Sequence, residues 1–577
     1  MSILRTLLVS VALAILPTLT AGESPALRLS VYATAGSILT HLGTPELRER
    51  ALETLAPLQV SRLFLEGRRG DEYVPPATLT AVRDFFTAHG IHCSGGIATV
   101  PGSGFGVRQN EVLGWLNWQN PRTQQDVAGF FTENAPLFDE LIVDDFYCTS
   151  DTSPESDQAR GDRSWGAYRR DLLVSLLEPM MFRPARAANP DIRLILKYPQ
   201  WYDRFHLFGY DPARMSPPFD QIWVGTEVRN PATRRMGFVQ PTEGYMNFRW
   251  LSSVAGGKVE GAWFDHIECE APHFVDQAFQ SVLAGARELT LFNLGDVMSG
   301  HPGDTLLAAK LPELRGLAAK VRDRERDGVV FYKPPGSDAE ENLYLADYLG
   351  MLGLPILPEA TFPTSAKVVF LGVQAAADPA IRQQTEGLLE RGGTVVMTPA
   401  FLRATADWST ALAGVKVGER SQPEEPTAVV RGRRVFSLTT PLQIDGSLRS
   451  GDAAVELKAA VGGVRFDLLT ARSVGHGQVL VLNVRTFSEK DFKDAGEWLL
   501  APKPRGLASL PESVADLVRA PILRALDLRV EGPAGVSVHC FGPDRCLYNF
   551  HDAPVTMRLD GKPEVVPGKG WRRIPGS

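Results

Sequence analysis

Eight short β-rich runs alternate with helical patterns over roughly the first 300 residues, and this alternation constrains the fold more than any other feature. The runs fall at 27–36, 60–67, 91–100, 140–149, 192–202, 221–229, 259–270 and 288–296. Most are apolar on both faces, as strands of a parallel sheet covered on both sides must be. Amphipathic stretches such as 45–57, 77–89, 163–181 and 271–286 separate them. The first opens with Thr44, Pro45, Glu46 and Glu49, a helix-start pattern. Eight such units predict an α/β chain that begins with a (β/α)8 TIM barrel over 27–325. A doubly wound open sheet is the alternative, but no Gly-rich phosphate loop follows the first run.

A second α/β pattern begins at VVFYKPP (329–335). Helices are expected at 339–352 and 379–391, and further strands at 367–373, 392–401 and 477–487. This predicts a flavodoxin-like (amidotransferase-like) α/β scaffold domain over 327–526. From 527 to 577 short alternating strands with turn residues predict a small β-sandwich, which a tail of this size can form only by packing on its neighbours.

Ahead of the barrel, residues 1–21 read as a secretory signal: Arg5, then an apolar run from Leu7 to Leu16, then Pro17 and small residues. The run is too short to span a bilayer. Cleavage near Ala21 would leave a secreted or periplasmic protein with no membrane segment. Five cysteines are too few for a disulfide framework. Cys540 and Cys546 flank a turn and are candidates for a cross-strand bridge, while Cys93, Cys148 and Cys269 read mainly as ordinary buried thiols. With 60 Lys+Arg against 67 Asp+Glu, the net charge of −7 argues against a nucleic-acid partner.

Barrel active sites sit at the C-terminal strand ends. The polar residues there are Glu66, Asp144, Asp145, Lys197, Glu227, Arg229, Asp265, Glu268, Glu270, Asn293 and Asp296. So many carboxylates around one mouth are costly unless something pairs or uses them. Glycoside hydrolysis is a use that fits, since it needs two carboxyl groups across the scissile bond. The candidate catalytic residues are Asp144, Asp145, Glu227 and Asp265. On this reading Asp144 or Asp145 is the nucleophile or orients the reacting group, and Glu227 is the general acid. A salt bridge to Arg229 is the structural alternative for Glu227. Lys197 is expected to bind substrate. Glu66, Arg229, Glu270, Trp201, Tyr202 and Trp263 complete the candidate substrate contacts, because indole and phenol faces suit the C–H faces of sugar rings. The segments 101–121 and 148–162 are expected to shape the cleft. Asp265, His266, Glu268, Glu270 and His273 are possible metal ligands by type, but no metal-binding spacing occurs, so no metal or cofactor is expected.

In domain order the mature chain resembles the three-domain β-galactosidases of glycoside hydrolase family 42. That resemblance implies an oligo- or polysaccharide substrate and homo-oligomer formation through the middle domain. The Asn-Glu pair of that family after strand four is not reproduced, because the strand ends in Asp144-Asp145. The string IVDDFYC (142–148) is similar instead to Asp-Asp-aromatic segments of other glycosidase-like barrels. Among these are β-N-acetylglucosaminidases with an Asp-Asp pair and α-glycosidases of the melibiase-like clan, which carry carboxylates on strands four and six. The middle domain should be catalytically silent, since no cysteine lies between Cys269 and Cys540 to serve as an amidotransferase nucleophile. A non-catalytic carbohydrate-binding relative and a metal-dependent barrel hydrolase are the alternative functions.

Overall fold

A computed structural model describes residues 26–233, 237–420 and 422–576. The expected signal segment, 1–21, lies outside the described residues. The barrel strands are β1 (Arg28–Ala33), β2 (Arg62–Arg69), β3 (His92–Ala98), β4 (Glu140–Val143), β5 (Arg193–Tyr198), β6 (Gln221–Gly225), β7 (Val259–Asp265) and β8 (Glu288–Phe292). Each pairs in parallel with the next, and β8 returns to pair with β1, so the sheet closes. The eight runs read from sequence are these eight strands.

The barrel interior is filled by Tyr32, Phe64, Ile142, Ile195, Trp223 and Trp263, which form one buried cluster. Because strand side chains alternate, the residue two further on continues the same inward row. That row continues from Phe64 to Glu66, Ile142 to Asp144, Ile195 to Lys197 and Trp263 to Asp265. The apolar plug of the barrel thus ends in a ring of charge at its mouth.

The second domain is built on a mixed nine-stranded sheet. Its parallel part contains β9 (Val329–Tyr332), β10 (Ile356–Glu359), β11 (Val368–Leu371) and β12 (Thr394–Met397). Four further strands are β13 (Ala428–Arg431), β14 (Arg434–Ser437), β15 (Ala454–Val461) and β16 (Val464–Val474), and β17 (Gly477–Leu482) closes the series. The order is β10-β9-β11-β12-β17-β16-β15-β13-β14. The first five members are in the 2-1-3-4-5 order of flavodoxin-like sheets, and the last four extend it antiparallel.

At the C-terminus two small antiparallel sheets form, of four and three strands. The four-stranded one recruits Arg326–Asp327, at the exit of the barrel, as an edge. The bridge envisaged between Cys540 and Cys546 does not form, and both thiols are free. Cys540 stands opposite Arg545 and Cys546 opposite His539. The two side chains therefore leave the ribbon on opposite faces. Cys93, Cys148 and Cys269 are free as well.

Candidate active site

Two charge networks meet at the mouth. In the first, Glu66 is fully buried and accepts hydrogen bonds from the Tyr32 hydroxyl (2.6 Å), the Ala35 amide (2.9 Å) and Arg69 Nη2 (2.8 Å). The same Arg69 nitrogen donates to Asp144 Oδ2 at 2.8 Å. Register slips between Glu66 and Arg68. Such a bulge re-aims side chains next to active sites, and here it brings Glu66 and Arg69 onto one partner set. Burial works against the charged form of Asp144, but Arg69 and Lys197 outweigh it and hold the carboxyl below its ordinary range. Asp144 Oδ1 also accepts the Asp145 amide at 2.8 Å.

In the second network the buried Lys197 ammonium donates to Asp145 Oδ2 at 2.5 Å and to Glu227 Oε1 at 2.7 Å. It lies 4.9 Å from the centre of the Trp263 ring, which forms the floor. Asp144 continues the inward row, and Asp145 reaches the same mouth because β4 has already ended at Val143. The Tyr210 hydroxyl holds that turn by donating to the Asp145 carbonyl. Burial, then repulsion from Asp144 and Glu227, push the Asp145 carboxyl up to about 7 against the pull of Lys197. Burial also raises Glu227, opposed by Lys197 and Arg229 and assisted by Asp265. Glu227 Oε2 is buried without a hydrogen-bond partner. Of the two side chains Asp145 is the more open, 15% exposed against 4%.

Arg229 does not pair with Glu227. Its guanidinium grips Asp265 through Nε (2.9 and 3.1 Å) and Nη2 (2.5 Å). Asp265 is thereby neutralised in place and braces the wall beside Glu227. Two other expected contacts, Trp201 and Tyr202, are engaged elsewhere. Trp201 is buried and stacks on Trp115 with ring centres 5.6 Å apart, so it is packing and not an open sugar platform. Tyr202 is buried too, its hydroxyl donating to Asp347 of the second domain at 2.8 Å. Glu270 is exposed and precedes the helix Ala271–Ala284 without a side-chain capping bond. The segments 101–121 and 148–162 do pack together, with Gln109 Oε1 accepting from the Ser150 amide at 2.9 Å.

Among the metal-type residues, His266 Nε2 is hydrogen-bonded to Asp304 Oδ1 at 2.8 Å. Among the described residues no three His, Cys, Asp or Glu side chains are grouped to hold a metal ion. Arg69 and Tyr32 were not singled out from the sequence. Arg69 could have been found from its place three residues after Glu66, at the same strand end.

A closed parallel barrel with carboxyls and a lysine gathered at its C-terminal mouth defines a TIM-barrel protein. Residues 18–304 match the family model described as "probable glycosyl hydrolase, catalytic domain", a stretch that takes in all eight barrel strands. An uncharacterized protein of Saccharolobus solfataricus is 24% identical over 364 residues, 57% of this chain and 59% of that relative's length. The cold-adapted β-galactosidase from Rahnella sp. R3 superposes with a TM-score of 0.61 at 12% identity, over 96% of this chain and 98% of that one. A catalytic-mutant structure of a family 42 β-galactosidase from G. stearothermophilus gives 0.64 at 12% identity, over 96% and 99%. For α-L-fucosidase isoenzyme 2 from Paenibacillus thiaminolyticus the values are 0.63 and 11%, over 95% and 98%. At these identities the superpositions establish a shared fold.

Proposed function

We propose that the protein hydrolyses a glycosidic bond of an oligo- or polysaccharide outside the cytoplasm, with Asp145 and Glu227 as the working carboxyl pair. The observation that carries this is the single Lys197 nitrogen touching both groups. Two oxygens in contact with one nitrogen can be no farther apart than the two contact lengths laid end to end. That fits the ~5–5.5 Å separation of retaining glycosidases better than the ~6.5–9.5 Å of inverting ones.

Asp145, the more open group and the one pushed up to about 7, is suited to give a proton to the leaving oxygen. Glu227, ionised beside Lys197, is suited to attack the anomeric carbon as that C–O bond breaks. Water then cleaves the glycosyl ester, losing its proton to Asp145 and freeing Glu227. This exchanges the roles expected from the sequence. Asp144 is locked by Arg69 and Asp265 by Arg229, so neither is free to attack. In the resting state Lys197 stands between the pair and must swing aside for a sugar to enter.

The position of Lys197 also favours a second reading, carbohydrate binding without hydrolysis. One comparison separates the two. Asp145→Asn should keep activity toward activated aryl glycosides and lose it toward poor leaving groups, whereas Glu227→Gln should lose both by several orders of magnitude. Binding of oligosaccharides by a wild type that hydrolyses none of them would establish the second reading.

A further inference from the structure

The second domain docks on the catalytic-side loops after β5 and β6. Tyr202 donates to the Asp347 carboxyl, Thr242 donates to the Asp347 carbonyl at 2.6 Å, and the Tyr344 amide donates to Asp203 Oδ2 at 2.6 Å. Arg204 pairs with Glu489 at 2.7 Å, and the Phe238 amide donates to the Ala501 carbonyl at 2.8 Å. These loops carry Glu227 and Arg229.

Inside the seam lie three buried carboxyls, Asp203, Glu243 and Asp347, and one buried cation, Lys333, 3.4 Å from Asp203. Glu243 Oε2 has no hydrogen-bond partner, and with Asp347, Tyr344 and Tyr348 it lines a narrow gap with no room for a water molecule. Three ionised carboxylates against one ammonium would leave two uncompensated charges in a dry interface, which is too costly to sustain. Burial, then Asp347 and Glu227, raise the Glu243 carboxyl against Arg229. Burial, helped by Asp203, raises Asp347 against its bond from Tyr202. Burial also raises Asp203, which Lys333 and the Tyr344 amide oppose, while Lys333 itself is lowered by burial. Further charges near the seam are Arg204, held by Glu489, Asp338, 3.6 Å from His206, and Arg505, held by Asp491 at 2.9 Å and acting on Tyr348 beside Asp347.

We propose that this seam is a proton-operated latch: neutral Asp347 and Glu243 let the second domain close on the loops after β5 and β6, and their ionisation releases it. The latch does not depend on the hydrolase reading, because it acts on domain contact whatever the mouth does. A group protonated in the closed state and ionised in the open one makes opening up to about tenfold more favourable per pH unit.

Hydrogen exchange of the full-length protein between pH 5.5 and 9, corrected for intrinsic rates, tests it on peptides covering 199–211, 237–247 and 340–352. In the wild type the opening constant should climb by up to about a hundredfold per pH unit where both groups titrate. In the double variant Glu243→Gln/Asp347→Asn that climb should vanish, with protection at pH 5.5 kept at the wild-type level. If the double variant does not fold, Glu243→Gln alone must cut the climb to about tenfold per pH unit. An unchanged pH dependence in the variants, or loss of protection already at pH 5.5, would overturn the latch. Neither readout uses catalysis, so an inactive mouth cannot be mistaken for a failed latch.

Discussion

Lys197 is the residue on which the mouth turns. It is buried, and its stem rises from β5 in the inward row directly above Ile195. Its ammonium is the one cation that touches both Asp145 and Glu227 among the described residues. Lys197→Met keeps the volume and removes the charge. Both carboxyls should then rise, because the group that lowers them is gone while burial and mutual repulsion stay. A general acid works only while protonated, so wild-type kcat/KM should fall as pH rises through about 7. In Lys197→Met that alkaline limb should move to higher pH, with kcat itself reduced because Glu227 is less often ionised. A pH–rate profile of both proteins checks the sign, and a limb that moved down would exclude the assignment of Asp145. The candidate residues were legible because each lies at a strand end. Which of them are free was not, since Arg69 and Arg229 choose their partners across strands, at 75 and 36 residues' separation.

At the scale of single elements, β6 shows how backbone and side chain are fitted. The strand ends at Gly225, the position where the inward row above Trp223 comes to the mouth. A Cβ placed there would meet Glu227 Oε2 at 2.3 Å. Gly225→Ala must therefore push the carboxylate off Lys197 or shift the strand end. The nearest obstruction is the end of a flexible side chain, with the Gln200 amide and the Tyr198 carbonyl following at 3.1 Å, so the cost in stability should be ~1–3 kcal/mol. A displacement of about 1 Å at a reacting group can cost ~10²-fold in rate. The expected outcome is a folded protein with near wild-type thermal melting and kcat down by about that factor. Near wild-type kcat would mean that Glu227 does not need this position. The strands themselves were readable where both faces are buried. The antiparallel extension was not: β13 to β15 are short or half-exposed, and β14 is open to solvent along most of its length. Without a long apolar run or a clean alternation, nothing in 402–476 distinguished a strand from a loop.

On the scale of the whole molecule, the barrel is completed by the C-terminal part of the chain. Helix Ala271–Ala284 is buried at every position from Phe274 to Ala284. A helix buried all round must be covered on its outer side as well. The C-terminal sheets supply part of that cover, with Tyr548 and Phe279 ring centres 5.4 Å apart. They also bring polar partners to Asp276 on this helix: the Tyr548 hydroxyl at 2.5 Å and the Lys569 ammonium at 2.9 Å. Burial pushes the Asp276 carboxyl up to about 6 despite both donors. Unfolding therefore releases a proton from Asp276 between its unfolded value near 4 and about 6. Over that window the stability of the docked state falls as pH rises, and above it no further change comes from this group. Tyr548→Phe removes one donor from a buried carboxylate and should cost ~1–3 kcal/mol at neutral pH. Below about pH 5, where the folded carboxyl is protonated and can turn its own hydrogen elsewhere, the loss should be smaller. Denaturant unfolding of Tyr548→Phe at pH 5 and pH 7.5 checks this: an equal loss at both would show that the hydroxyl's contribution does not depend on the charge of Asp276, and no loss at either that the ring alone carries the contact. Deleting 527–577 uncovers Phe279 and strands Asp276 without either donor, so the shortened chain should be insoluble or melt well below the full-length protein.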